Sequence, residues 1–484
     1  MPIKTVIAAS EGAPYVKTGG LGDVAGALPA ALSRLGAEVA LFLPYYRQIA
    51  QSGVKVKPTG WDVSVRTGAR TIKPVVLKAI DSLAPAYFIV CDEFFDRTGL
   101  YGTPAGDYFD NIERYAFFSR AVLESCKAGG IRPDVIHCND WQTALIPAYL
   151  KGPYSTDSYF NRTATLFTIH NLAYQGLFDG NLFSLTGLDA DQYTSEGLEF
   201  WGRVNLLKAG LVYADIINTV SRAYSFEIQT AEYGCGLDGV LATRKTDLYG
   251  VLNGVDYEEW NPGTDILIPE NYNAADLAGK PICKKALVKN FGLKIRPGTP
   301  LIGMISRLAA QKGFDILVEA IESIRDYNFG LVILGSGDKP YQDLVERLAV
   351  SLPGKVGAKF AFDNKIAHLI EAGSDMFLMP SKYEPCGLNQ MYSFRYGTVP
   401  IVRATGGLDD TVTDWGGGEG NGFKFAQYSP EALADKIKEA FAAYTDKAAW
   451  ETLIKRIMKE DFSWGASAKN YLEIYKLAVE KHAL

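Results

Sequence analysis

At 484 residues, with 48% hydrophobic and 21% charged side chains, the chain can fill two or three cores and is too apolar to be disordered. A net charge of −6 argues against a nucleic-acid-binding surface. No apolar run reaches the length of a membrane span, and six scattered cysteines without a C-x-x-C pair read as reduced thiols.

The opening Met-Pro-Ile-Lys-Thr-Val-Ile enters a strand-like segment directly, without signal or transit features, so a cytoplasmic location is expected. Short apolar, β-branched runs then predict strands over 5–9, 39–43, 87–90, 135–138, 166–169 and 216–220. Amphipathic stretches such as 24–35 and 112–127 predict helices between them. The second half repeats the plan, with strands over 301–306, 330–335, 359–362, 376–380 and 399–402 and helices over 316–324, 341–350 and 366–371. Continuous apolar runs alternating with helices imply βαβ units, hence an α/β chain of two Rossmann-like domains built on parallel sheets. The boundaries are set at 1–250 and 251–460, where Tyr-Gly-Val-Leu-Asn-Gly-Val-Asp suggests a hinge, and 461–484 reads as a helix packing back toward the first domain.

The tetrapeptide Thr-Gly-Gly-Leu occurs twice, at Thr18 to Leu21 behind Lys17 and at Thr405 to Leu408. Glycines such as Gly19 and Gly20 let a backbone pass close to a ligand, and the free amides of a following helix favour an anion. A structural loop is an equally good reading of the first turn alone. Neither turn is G-x-G-x-x-G or a P-loop, which weakens nucleotide readings of those kinds.

Arg307 and Lys312 follow the strand at 301–306. They are either solvated charges or a cation pair for a diphosphate, which a guanidinium fork and an ammonium would both neutralise. Glu384-Pro385-Cys386-Gly387-Leu388 follows the strand at 376–380, where a carboxylate can accept sugar hydroxyls. Cys386 is not read as a nucleophile, because His137, His170, His368 and His482 all lie far from it in sequence. Asp140 and the His170-Asn171 pair close strands of the first half. An isolated histidine there is more readily an interior group, but the equivalent strand ends of Asp140 and His170 favour a site. Asp189-Ala190-Asp191 imitates a metal motif without a preceding strand, so a solvated loop is expected and no metal site.

Taken together and in this order, Lys17 to Leu21, Asn139-Asp140-Trp141, Ile169-His170-Asn171, Ser306-Arg307-Leu308 through Lys312-Gly313, Glu384 to Leu388 and Thr405 to Leu408 resemble the motif series of bacterial glycogen synthases and plant starch synthases. The resemblance implies a GT-B glycosyltransferase whose two sheets face a central cleft. It further implies transfer of glucose from ADP-glucose to the non-reducing end of an α-1,4-glucan with retention of configuration, without a metal or other cofactor. On the same basis Arg307 and Lys312 would hold the donor diphosphate, helped by amides of the turn at Thr405, Gly406, Gly407 and Leu408. Glu384 would bind glucose hydroxyls, with Cys386, Gly387 and Leu388 beside it. Lys17, Gly19 and Gly20 would approach the donor, while His170, Asn171 and Asp140 would line the sugar and acceptor side.

One departure is the stretch Asn389-Gln390-Met391-Tyr392, where many retaining GT-B enzymes carry a second carboxylate; the acidic role therefore falls to Glu384 alone. The alternatives are a related enzyme using UDP-glucose or another acceptor, a silent glucan-binding module, and a nicotinamide dehydrogenase, the last lacking its glycine fingerprint.

Overall fold

Val, Ile and Leu runs with no polar interruption cannot face water on either side, and they become the buried central strands of two sheets. The computed structural model describes residues 2–68 and 70–483. The chain divides into two units, described separately below. One takes the chain up to Val220, Ser225–Gly254 and the chain from Trp464 on; the other takes Ser221–Tyr224 and Val255–Ser463. The chain thus changes unit at Gly254/Val255 and Ser463/Trp464, a few residues beyond the expected 250 and 460. The backbone explains the shift. Val255 donates its amide to the Phe462 carbonyl, whereas Gly254 lies so close to Trp464 that a Cβ would come 2.5 Å from its Cα.

In the first unit, among the described residues, nine strands run in the spatial order Leu248–Gly250, Ile216–Thr219, Ala164–Ile169, Val135–Asn139, Lys4–Ala8, Glu38–Pro44, Ala86–Val90, Val75–Ala79 and Val56–Pro58. The first seven pair in parallel. The last two are antiparallel additions, so this sheet is mixed at one edge rather than wholly parallel. The outermost strand ends in Pro58, a residue tolerated where no ladder partner needs its amide. Leu248–Gly250 is also a strand, where the sequence reads only a junction. The final helix, Trp464–His482, belongs to this unit, burying Tyr471, Ile474, Tyr475 and Ala478. The Tyr475 hydroxyl meets His137 Nδ1 at 2.9 Å, and burial pushes that imidazole down to about 3. His137 is therefore an interior group.

The second unit holds six parallel strands in the order Val356–Lys359, Gly330–Leu334, Leu301–Ile305, Met376–Met379, Val399–Arg403 and Phe423–Phe425. The strand expected at 359–362 instead ends at Lys359. Phe362 is almost fully exposed, and Asp363 starts the next helix by accepting the Ile366 amide at 3.0 Å. Aromatic content there imitates a buried run in a stretch that is a loop.

Candidate active site

Counting the parallel strands of each unit in chain order, the first sheet reads 3-2-1-4-5-6-7 and the second 3-2-1-4-5-6, the doubly wound order whose direction reverses between strands 1 and 4. Loops leaving strands 1 and 4 diverge at that point and leave a crevice beyond the strand ends. In the first unit these loops follow Lys4–Ala8 and Val135–Asn139; in the second they follow Leu301–Ile305 and Met376–Met379. Nearly every residue singled out from sequence lies on these loops or one strand further on.

In the first unit the turn at Thr18 is anchored by Glu11, which the motif reading overlooked. The buried Glu11 carboxylate accepts the Thr18 amide, the Thr18 hydroxyl at 2.9 Å and the Gly19 amide at 3.3 Å. Tyr101 adds its hydroxyl at 2.9 Å. The helix Gly20–Arg34 starts directly after this anchor. A Cβ at Gly19 or Gly20 would meet nothing within 4 Å, so both residues border open space. Lys17 reaches across the first helical turn to Asp23 at 2.6 Å.

Asp140 leaves strand 4 with φ of 54°, a left-handed conformation that turns its carboxylate back onto the next strand end. It accepts the His170 amide at 2.7 Å, and the Asn171 amide also bonds to it. Burial, reinforced by the nearby Glu11 charge, pushes its carboxyl up to about 7. Burial pushes the His170 imidazole down to about 3, so the ring is neutral near pH 7. Its Nε2 lies 2.9 Å from Asn139 Oδ1, while the Asn139 amide nitrogen donates to Ala8 O. Nε2 is therefore the protonated nitrogen and Nδ1 an acceptor. Asn171 turns its own Oδ1 to the Ala173 amide at 3.1 Å.

In the second unit, Lys312 ends a short 3-10 turn, and Gly313 follows with φ of 74°. A Cβ on Gly313 would strike the Pro380 carbonyl at 2.0 Å. Gln311 fixes the neighbouring loop twice, accepting the Lys382 amide at 2.8 Å and donating to Tyr383 O at 3.0 Å. These ties bring Lys312 Nζ to 2.6 Å from Glu384 Oε2, which also accepts the Ser381 hydroxyl at 2.9 Å. Glu384 is buried, and Arg307 stands exposed at the end of strand 1. A carboxylate and two cations thus gather on the loops of strands 1 and 4.

The second Thr-Gly-Gly-Leu turn differs from its expected role. The Gly407 amide donates to the Glu384 and Pro385 carbonyls, each at 3.2 Å, and the Leu408 amide to Thr405 O at 3.1 Å. Those two amides are engaged inside the protein rather than offered as donors. The cause is close packing: a Cβ at Gly406 would lie 1.9 Å from Glu384 O, and one at Gly407 1.9 Å from Cys386 O. Cys386, Gly387 and Leu388 complete this packed turn. Gln390 is fully buried and ties it by donating to Cys386 O at 3.2 Å and Gly387 O at 2.9 Å. An amide, able to donate, is what those carbonyls require at position 390.

Asp189 and Asp191 are exposed around a short 3-10 turn, and among the described residues no group of three or more His, Cys, Asp or Glu side chains could hold a metal ion. Glu11, Tyr101 and Asn139 were missed as site residues. For Glu11 a signal existed: it follows strand 1 by three residues and precedes the glycine turn by seven.

Comparison with known proteins places this arrangement. Residues 288–453 match the family model described as glycosyl transferases group 1, and residues 4–243 match the starch synthase catalytic domain model. The chain is a glycosyltransferase with the GT-B fold. A glycogen synthase of Koribacter versatilis (strain Ellin345) is 49% identical, with 98% of each chain covered, and one of Geotalea daltonii is 47% identical over 99% of each. The chain belongs to the glycogen synthase and starch synthase family of hexosyltransferases. Among solved structures, the catalytic domain of starch synthase IV from Arabidopsis thaliana, bound to ADP and acarbose, superposes with a TM-score of 0.90 at 34% identity. That match covers 99% of this chain and 100% of the other. A sucrose-phosphate synthase from Thermosynechococcus elongatus, at 18% identity and a TM-score of 0.59, shares the fold alone. Family membership removes the dehydrogenase and binding-module alternatives.

Proposed function

We propose that this glycogen synthase relative transfers glucose from ADP-glucose to the non-reducing end of an α-1,4-glucan with retention of configuration, releasing ADP. The observation that carries the reading is the Lys312–Glu384 pair at 2.6 Å at the switch point of the second unit, with Arg307 on the same loop as Lys312. Cleaving a glycosyl phosphate leaves an anion and an electron-poor sugar ring. Fixed cations aimed at the phosphate therefore supply the largest stabilisation. Arg307 and Lys312 take the diphosphate in this scheme, and Glu384 takes the glucose hydroxyls.

Lys17, once exchanged from Asp23, adds a further cation for the donor, and Gly19 and Gly20 leave room for it. His170 accepts a sugar hydroxyl at Nδ1 and is oriented by Asn139 and by Asp140, which holds the backbone of its loop. Glu384 is held by Lys312 and Ser381 and Asp140 by the amide of His170, so in this reading neither carboxylate serves as a nucleophile and the reaction proceeds on one face of the sugar. The bond from the anomeric carbon to the phosphate oxygen breaks, the acceptor O4 bonds to that carbon, and the acceptor proton passes to the departing phosphate. ADP in the related plant structure supports the choice of donor.

A cytoplasmic location belongs to the same reading. Among the described residues no helix is long and apolar enough to cross a membrane, and no disulfide links the cysteines. The test is nucleoside diphosphate release with glycogen, comparing ADP-glucose with UDP-glucose, with and without EDTA. Glycogen-dependent ADP release unaffected by EDTA is expected. Preference for UDP-glucose would overturn the donor, and no release from either would overturn the function.

A further inference from the structure

The hairpin joining Glu199–Phe200 to Arg203–Asn205 turns through Trp201 and Gly202, whose φ values are 55° and 77°. Positive φ at both central residues is the type I′ turn, which Asn-Gly fills with least strain and a bulky aromatic fills badly. The tip is nevertheless fixed. The Gly202 amide donates to Glu199 Oε1 at 2.6 Å, the Tyr193 hydroxyl to Gly202 O at 3.1 Å, and Arg203 to Leu177 O at 2.9 Å. At the end of this pinned hairpin Trp201 is 84% exposed, its ring edge-on to Phe200 at 6.4 Å. Neither turn chemistry nor burial accounts for tryptophan here.

Its place in the unit supplies a reason. The strand Leu177–Asp179 pairs with Arg203–Asn205 and continues directly from the loop that bears His170, Asn171 and the exposed Tyr174. That loop and the hairpin share one support. Gln175 donates to Cys235 O at 3.0 Å, and the adjoining Gly236 lies beneath Phe200, where a Cβ would come 3.0 Å from the ring. From Gly176 to Asp179 the strand advances about 10 Å, carrying the surface outward from the His170 loop.

We propose that Trp201 is an outer subsite for the α-1,4-glucan acceptor, with Tyr174 as a second aromatic platform on the His170 loop; this rests on the glucan acceptor proposed above. A glucose ring presents an apolar C–H face, and an indole fixed in solvent offers a broad apolar face that stacks on it without a charged partner. A long acceptor chain reaches both the inner groups and Trp201. A trisaccharide fills only the inner part.

The test compares wild type, Trp201→Asn, which places the favoured Asn-Gly pair in the turn, and Trp201→Phe, which retains a stacking face. Two quantities are read: the ratio of kcat/KM on glycogen to that on maltotriose, and retardation in a native gel containing glycogen. Trp201→Asn is expected to lower the ratio about two- to tenfold and to reduce retardation, with most of both restored by phenylalanine. An unchanged ratio and retardation, or equal losses on the two acceptors, would overturn the subsite. If wild type releases no ADP while Trp201→Asn still abolishes retardation, the subsite stands and the proposed reaction falls.

Discussion

The two Thr-Gly-Gly-Leu turns are identical in sequence and sit beyond the strand ends of similarly ordered sheets, yet their glycines are required for opposite reasons. In the first turn the side chain of Glu11 grips the amides of Thr18 and Gly19, and Gly19 and Gly20 face open space. In the second the backbone of Glu384 receives the Gly407 amide, and Gly406 and Gly407 face carbonyl groups at a distance no Cβ could occupy. One turn is open to a ligand and the other is closed on its own neighbour. The closed arrangement has its own use, because tethering the Glu384 backbone leaves its carboxylate to Lys312 and Ser381.

The sharpest way to break this comparison is to add one methyl group to each turn. Gly407→Ala is expected to cost about 4 kcal/mol or more, because the obstacle at 1.9 Å is backbone and cannot rotate aside. Gly20→Ala is expected to leave the melting temperature unchanged and to raise KM for the donor. Thermal unfolding of the two variants decides the matter, and equal losses of stability would abolish the distinction between the turns.

That distinction marks the limit of what the sequence reveals. Strand runs such as 135–138 and 376–380 were legible because burial on both faces demands uninterrupted apolar residues, and the alternation with helices implied the fold. Arg307, Lys312 and Glu384 were legible as a group because their loops follow adjacent parallel strands. Whether a glycine faces a ligand or a carbonyl depends on which loops meet, and nothing within either tetrapeptide records that. Glu11 was overlooked for a related reason: its place between strand 1 and the glycine turn can be read from the sequence, but its role lies in the amides folded around it. The antiparallel strands Val56–Pro58 and Val75–Ala79 escaped because partly exposed strands lack the continuous apolar signal.

Next in size is a comparison of the two glutamates. Glu384→Gln and Lys312→Ala are each expected to lower kcat by about 10²- to 10³-fold, the usual consequence of removing a group that meets charge developing in the transition state. Glu11→Gln removes a charged acceptor that only shapes the first turn. It is expected to raise KM for ADP-glucose about tenfold with a smaller change in kcat. Steady-state kinetics separate the two patterns. Equal effects on kcat would mean that Glu11 participates in the reaction rather than in the shape of the turn.

A further effect concerns the acidic residues that follow strand 4 in each unit. Glu384 is met by a lysine, whereas Asp140 meets the neutral amides of His170 and Asn171 with Glu11 nearby, and its carboxyl is pushed up to about 7. The folded chain therefore holds this proton more tightly than the unfolded one, whose aspartate has its ordinary pKa near 3.8. The stabilising contribution is complete below about pH 4, declines between pH 4 and 7 and is gone above, where the buried charge must be accommodated. Asp140→Asn keeps an oxygen for both amides and removes the charge. Relative to wild type, the variant should gain stability between pH 5 and pH 8, measured as the shift in urea midpoint. Glu371, pushed up to about 8, and His170, pushed down to about 3, both by burial, titrate in both proteins and largely cancel from the difference. A difference that stays flat across that interval would mean that Asp140 is already ionised at pH 5, and that its two amide donors outweigh the burial of its charge.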